Sequence, residues 1–223
     1  APFPVGCATR TDLIADPAYA ALFAGQFSQL TAEWEMKMEY ILQPDGGLRF
    51  DAPDLLAGFA ARHGLRLLGH TLIWYAQASP AFERLEGKAF ADAYHSYILA
   101  VTGRYRGAAA GWDVVNEAVN EAGSALRDCL WSQRLGEIDH MVRAFDHAAE
   151  ADPRSTLFLN DYNLETLPKK RAQFRRRVDT LRKRGVKLGG LGTQTHIDID
   201  LPKGAAAAAL KELASFGLPI HIS

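Results

Sequence analysis

The sequence predicts an α/β fold in which βα units surround a parallel sheet, and three observations carry that reading. Short apolar runs alternate with longer amphipathic ones from end to end. One run, Gly111-Trp112-Asp113-Val114-Val115-Asn116-Glu117, is apolar and β-branched until it turns polar at Asn116 and Glu117, as a short buried strand does at its C-terminal end. At 223 residues the chain can bury one sizeable core, so a single domain over residues 1–223 is expected.

In chain order, the apolar runs predict strands at Phe3–Ala8, Gln29–Ala32, Arg66–Trp74, Gly111–Val115, Thr156–Leu159, Leu188–Gly192 and Leu218–Ile222. The amphipathic runs between them predict helices at Pro17–Ala24, Pro53–His63, Ala89–Tyr105, Ile138–Ala151, Lys169–Arg184 and Ala205–Phe216. Ala205–Ala209 consists of small residues with high helix propensity and reads as a helix beginning. The basic run Lys169–Arg184 could be a nucleic-acid patch. Phe174, Val178 and Leu181 at helical spacing favour a solvated outer helix face instead.

Composition narrows the function classes. Lys and Arg number 25 against 26 Asp and Glu, a formal charge of −1, so there is no global attraction to nucleic acid or to an anionic membrane surface. No apolar run approaches the roughly 20 residues needed to cross a bilayer. The chain opens Ala-Pro-Phe-Pro-Val-Gly, with neither an initiator Met nor the regions of a signal peptide, so a mature form whose leader was removed is expected. Cys7 and Cys129 lie far apart, and two separate buried thiols are favoured over a disulfide.

Taken singly, the polar positions have plain readings. Glu117 is a surface glutamate past a strand; Glu33 and Lys37, four apart, are a helical ion pair. His70 is a structural histidine beside a strand, Asn160-Asp161 is a turn, and His196 is a turn histidine. Together they form another pattern. Trp112–Ala118, WDVVNEA, closely resembles the acid/base motif of the family 10 glycoside hydrolases, the retaining endo-β-1,4-xylanases, and further segments resemble that family's motifs in the family's order.

Thr31–Lys37, TAEWEMK, resembles the family's T-A-E-N-E-M-K, whose Glu and Lys bind sugars on the non-reducing side of cleavage, a role implied for Glu33 and Lys37. Trp34 replaces the family's Asn; an indole cannot accept a hydroxyl proton and is far bulkier. Gly69–Gln77, GHTLIWYAQ, resembles G-H-T-L-V-W-H-S-Q, which implies that His70 and Trp74 border the sugar at the cleavage point and Gln77 reaches further along the cleft. Tyr75 stands where the family has a second His. Leu130-Trp131 and Gln133 resemble the connection into the family's fourth helix. Phe158–Asn163 resembles its N-D-Y-N segment, implying Tyr162 beside the leaving-group sugar with Asn160 and Asp161 supporting the loop. Gly190–Ile197 resembles G-I-G-x-Q-x-H, implying Gln194 beside the reacting sugar and His196 against the nucleophilic carboxylate. Gly217–Ser223 resembles the seventh strand, which in the family runs directly into the nucleophile's E-L-D.

The resemblance implies a TIM (β/α)8 barrel whose last strand and helices, with the nucleophilic glutamate, are expected just past Ser223. Retaining hydrolysis needs two carboxyls about 5–5.5 Å apart, one protonating the leaving oxygen and later activating water, the other attacking the anomeric carbon. Glu117 matches the acid/base, and Asn116 would hydrogen-bond the 2-hydroxyl of the reacting sugar. The expected function is hydrolysis of xylan or xylo-oligosaccharides; the alternative is a non-hydrolytic xylan-binding protein. Trp34 would be expected to exclude the hydroxymethyl group that distinguishes glucose from xylose. No metal or organic cofactor enters this chemistry, and no spacing of His, Cys, Asp or Glu demands one.

Overall fold

The computed structural model describes residues 3–223. Among these, seven strands form one sheet in which each pairs in parallel with the next along the chain. They are β1 (Gly6–Thr9), β2 (Gln29–Ala32), β3 (Arg66–Trp74), β4 (Ala109–Asn116), β5 (Thr156–Asp161), β6 (Gly190–Thr193) and β7 (Ile220–Ile222). Gln29 Nε2 on β2 lies 3.1 Å from His221 Nε2 on β7. On a flat sheet those two strands would stand about 24 Å apart, so the sheet is curled on itself as in a TIM barrel.

The first strand is followed by α1 (Thr11–Ile14) and α2 (Pro17–Gln26), and β2 by α3 (Met38–Ile41) and α4 (Asp51–Arg62). After β3 come a 3₁₀ turn, Pro80–Phe82, and α5 (Gly87–Arg104); after β4 come α6 (Leu130–Leu135) and α7 (Asp139–Ala151). Helices α8 (Pro168–Lys183) and α9 (Ala205–Ala214) follow β5 and β6. Every predicted strand and helix is present. The unpredicted elements, α1, α3, α6 and the 3₁₀ turn, are too short to display a helical period.

Local chemistry accounts for the boundaries. Asp16 caps α2 by accepting from the Ala18 and Tyr19 amides at 2.7 and 3.0 Å, with Pro17 preset for the first turn. The predicted end of β5 at Leu159 moves to Asp161, because Asn160 and Asp161 stay in the ladder opposite Gly192 and Thr193. Polarity there marks the approach to the rim, not the end of pairing. In β3, a Cβ on Gly69 would fall 2.1 Å from Trp112 Cε3, so only glycine lets β3 lie against that indole.

The apolar core lies between sheet and helices. Trp131 meets Phe82, Phe90 and Tyr94 at centroid distances of 5.0, 5.9 and 5.5 Å, which fixes α6 against α5. Helix α8 buries Phe174, Val178 and Leu181 and leaves its basic residues exposed or half-buried, as its spacing implies; Lys170 is the exception and is fully buried. Cys7 and Cys129 are separate free thiols, partly rather than fully buried.

His140 is buried near the start of α7, with its Nδ1 3.0 Å from the Gly136 carbonyl oxygen. Burial lowers its pKa below the ordinary 6.5. The sign follows: below about pH 6.5 the unfolded chain takes up a proton that the folded chain refuses, so this contribution to stability is present above 6.5 and lost as pH falls. We expect His140→Asn, which can still donate to Gly136, to gain melting temperature relative to the parent between pH 7.5 and pH 5. A constant difference across that range would contradict this.

Candidate active site

The polar groups predicted from β3, β4 and β6 converge where those strands end. Glu117, the residue after β4, is 8 % exposed, and both its carboxylate oxygens are engaged. Trp74 Nε1 donates to Oε2 at 2.8 Å, and Gln194 Nε2 donates to Oε1 at 2.8 Å. The same Gln194 nitrogen lies 3.1 Å from Asn116 Oδ1, which also accepts from Asn160 Nδ2 at 3.1 Å. Asn116 and Glu117 are therefore fixed as a unit by neighbours on β3, on β5 and just past β6. Trp74 is itself held, since its carbonyl oxygen accepts from Trp131 Nε1 at 2.7 Å.

Backbone geometry marks the same rim. Gln77, Glu117, Asn163 and Thr195 have φ of 53°, 57°, 56° and 49°, and each lies within three residues of the C-terminal end of β3, β4, β5 or β6. A left-handed conformation in a residue with a Cβ costs about 1–3 kcal/mol and persists only where surroundings impose it. At Glu117 they do: its amide donates to Asn160 O at 2.8 Å, and Arg127 Nε donates to its carbonyl at 2.9 Å. The C-terminal rim of a parallel barrel is where catalytic groups gather.

The remaining predicted residues surround this centre at varying remove. His70 Nδ1 lies 2.8 Å from Asp113 Oδ2, and His196 Nε2 lies 2.8 Å from Gln194 Oε1. Lys37 Nζ stands 5.1 Å from the Trp74 ring centroid, and Gln77 Nε2 donates to Glu39 at 2.8 Å. Glu33 is not in a helical pair with Lys37. Residues 33–37 form a bend and turn, and Glu33 lies 3.9 Å from Arg10 on an exposed surface. Trp34 packs on Tyr40 at 4.9 Å and is 38 % exposed.

On the other side, Tyr162 donates to Glu121 and accepts from Arg127 Nη2 at 2.7 Å. The Tyr162 hydroxyl, with Arg127 behind it, holds the Glu121 carboxyl below its usual range. Arg127 also lies 4.0 Å over the ring of Tyr75, which in turn meets Trp74 edge-on at 5.7 Å. Arg127 thus links four residues of this rim, yet as one arginine in a polar loop it carried no sequence signal. Asp113 was also missed. The ladder between β4 and β5 shifts register between Asp113 and Val115, which breaks strand alternation and lets Asp113 and Asn116 share Asn160 Nδ2, at 3.3 and 3.1 Å. A charged residue inside an apolar strand was the available clue.

The family model described as Glycosyl hydrolase family 10 matches residues 1–223. The chain belongs to glycosyl hydrolase family 10. It is 37% identical over 215 residues to an endo-1,4-beta-xylanase of Geobacillus stearothermophilus, covering 92% of this chain and 64% of that one. Endo-1,4-beta-xylanase B of Paenibacillus barcinonensis is 34% identical over 230 residues, covering 99% and 68%. The crystal structure of xylanase 10B from Thermotoga petrophila in complex with xylobiose superposes with a TM-score of 0.90 at 28% identity, covering 97% of this chain and 68% of that one. The chain spans about a fifth of the length of two further relatives it matches, at 22% and 20%. Its seven parallel strands are thus those of a family 10 TIM barrel.

Proposed function

We propose that this chain provides the acid/base half of a retaining endo-β-1,4-xylanase site. The observation that carries the reading is Glu117, buried at the end of β4 with one oxygen on Trp74 and the other on Gln194, directly beside Asn116. In this mechanism Glu117 protonates the glycosidic oxygen of xylan as the bond breaks. As a carboxylate it then takes a proton from the water that releases the sugar. Asn116 has its Oδ1 occupied by Gln194 and Asn160, and its amide nitrogen would donate to the 2-hydroxyl of the reacting sugar. The attacking carboxylate belongs beside β7, in the position the family motif gives to the residue after Ser223.

Lys37, His70, Trp74 and Gln77 would line the non-reducing side of the cleft with Glu33 at its far end, and Tyr162 would border the leaving group. His196, paired with Gln194, would orient the nucleophile's side of the site. Xylan is favoured over a glucan because Trp34, bulky and projecting beside Tyr40, would meet the hydroxymethyl group of glucose. Work on a polymer too large to cross a membrane also favours a secreted or periplasmic setting.

The test is release of reducing sugar from xylan by the protein that carries this chain, with the anomeric form of the first product followed by NMR. We expect hydrolysis with β-anomer formed first. An α-anomer first would reject retention, and binding without hydrolysis would favour a xylan-binding protein. Trp34→Asn should alter the ratio of oligosaccharide products, and an identical product profile would sink the role given to Trp34.

A further inference from the structure

We propose that His95, His147 and Glu150 form a site for a divalent transition cation of the zinc class, joining α5 to α7 on the outer helical layer. One ligand atom from each lies within 4.8 Å of the other two, and among the described residues no other three His, Cys, Asp or Glu side chains converge in this way. His147 and Glu150 are one turn apart on α7 and so share a face, while His95 projects from α5. His95 Nε2 is 3.2 Å from Glu150 Oε2. Two ligands about 2.0–2.1 Å from a tetrahedral zinc stand about 3.3 Å from each other, so that edge is already at coordination spacing.

An ordinary ion pair accounts for His95 and Glu150 but not for the third member. The two imidazoles face each other at 4.3 Å between centroids and 47° between planes, tilted rather than stacked. Tyr94 packs edge-on against His147 at 6.4 Å and limits the ring's travel. Side-chain exposures of 42% for His95 and 57% for Glu150 leave an entry path and room for a water as fourth ligand. Two imidazoles and one carboxylate select zinc, nickel or copper over magnesium and calcium, which take oxygen ligands. The sequence spacing does not expose this set, because residues 95 and 147 meet only through helix packing.

A cation held here binds the folded chain and not the unfolded one, so it raises the melting temperature with its concentration. The experiment uses tag-free protein stripped with EDTA and titrated with zinc chloride by calorimetry, with melting curves in zinc and in magnesium. We expect one saturable zinc per chain and a melting temperature that rises with zinc and not with magnesium. In His95→Ala and Glu150→Gln the affinity should fall at least ~10-fold, the least that even outer-shell partners cost. These surface variants should keep the parent's melting temperature in EDTA, which separates loss of metal from loss of fold. Absence of saturable zinc binding in the parent, or undiminished binding in both variants, overturns the proposal.

Discussion

Replacing Glu117 with Ala is expected to lower xylan turnover by about 10²–10⁴-fold, the usual contribution of a positioned acid/base, with substrate binding nearly unchanged. The loss should depend on the leaving group. Aryl xylosides whose phenolate departs without a proton should keep much of their first step, whereas xylan, whose leaving alkoxide needs that proton, should not. Because Ala would leave the Trp74 and Gln194 donors unpaired, Glu117→Gln is the companion variant: it keeps the volume and an acceptor for one of them and removes only the acid. Parental rates on xylan in both variants would refute the assignment, as would equal losses on xylan and on activated aryl substrates.

Lys170→Met should be the most destabilising single change we describe, by about 3–5 kcal/mol. Lys170 Nζ lies 3.0 Å from Asp161 Oδ1, with side-chain exposures of 0% and 1%, and sits over the Tyr162 ring at 3.2 Å. Burial pushes the Asp161 carboxyl up to about 6 even with Lys170 beside it to lower it, so without the cation the carboxyl is either stranded as a buried charge or forced to take up a proton. That carboxylate also accepts from the Val119 amide at 3.1 Å and the Tyr162 amide at 2.9 Å, which ties the chain after β4 to the chain after β5. The expected drop in melting temperature is about 6–20 °C at this chain length. Adding Asp161→Asn should restore part of it by removing the stranded charge. A Lys170→Met protein that melts with the parent would show that the pair is not what holds these loops.

The two residues of that pair also indicate what a sequence reading reaches. Lys170 stands four before Phe174 and eight before Val178, on the stripe that α8 buries, so its spacing carried the signal. Sorting the run by charge hid it among solvated neighbours. The β3, β4 and β6 ends were legible because each packs its functional groups into one short linear segment behind an apolar strand. Asp113, Arg127 and the His95 cluster were not, because their partners lie 42 or more residues away, or, for Arg127, on a neighbouring loop at residue 162. Glu33 and Lys37 show the converse: helical spacing without a helix, since the chain turns there.

The four tryptophans divide by location in a way that supplies a built-in optical reporter. Trp112 and Trp131 are sealed at 0% and 1% exposure and should emit at short wavelength, indifferent to aqueous quenchers. Under the proposed function Trp34 and Trp74 would border the bound sugars, so an oligosaccharide there would change only their share of the emission. Saccharide binding could then be followed without a label, while the silent pair would report separately whether the fold had remained intact.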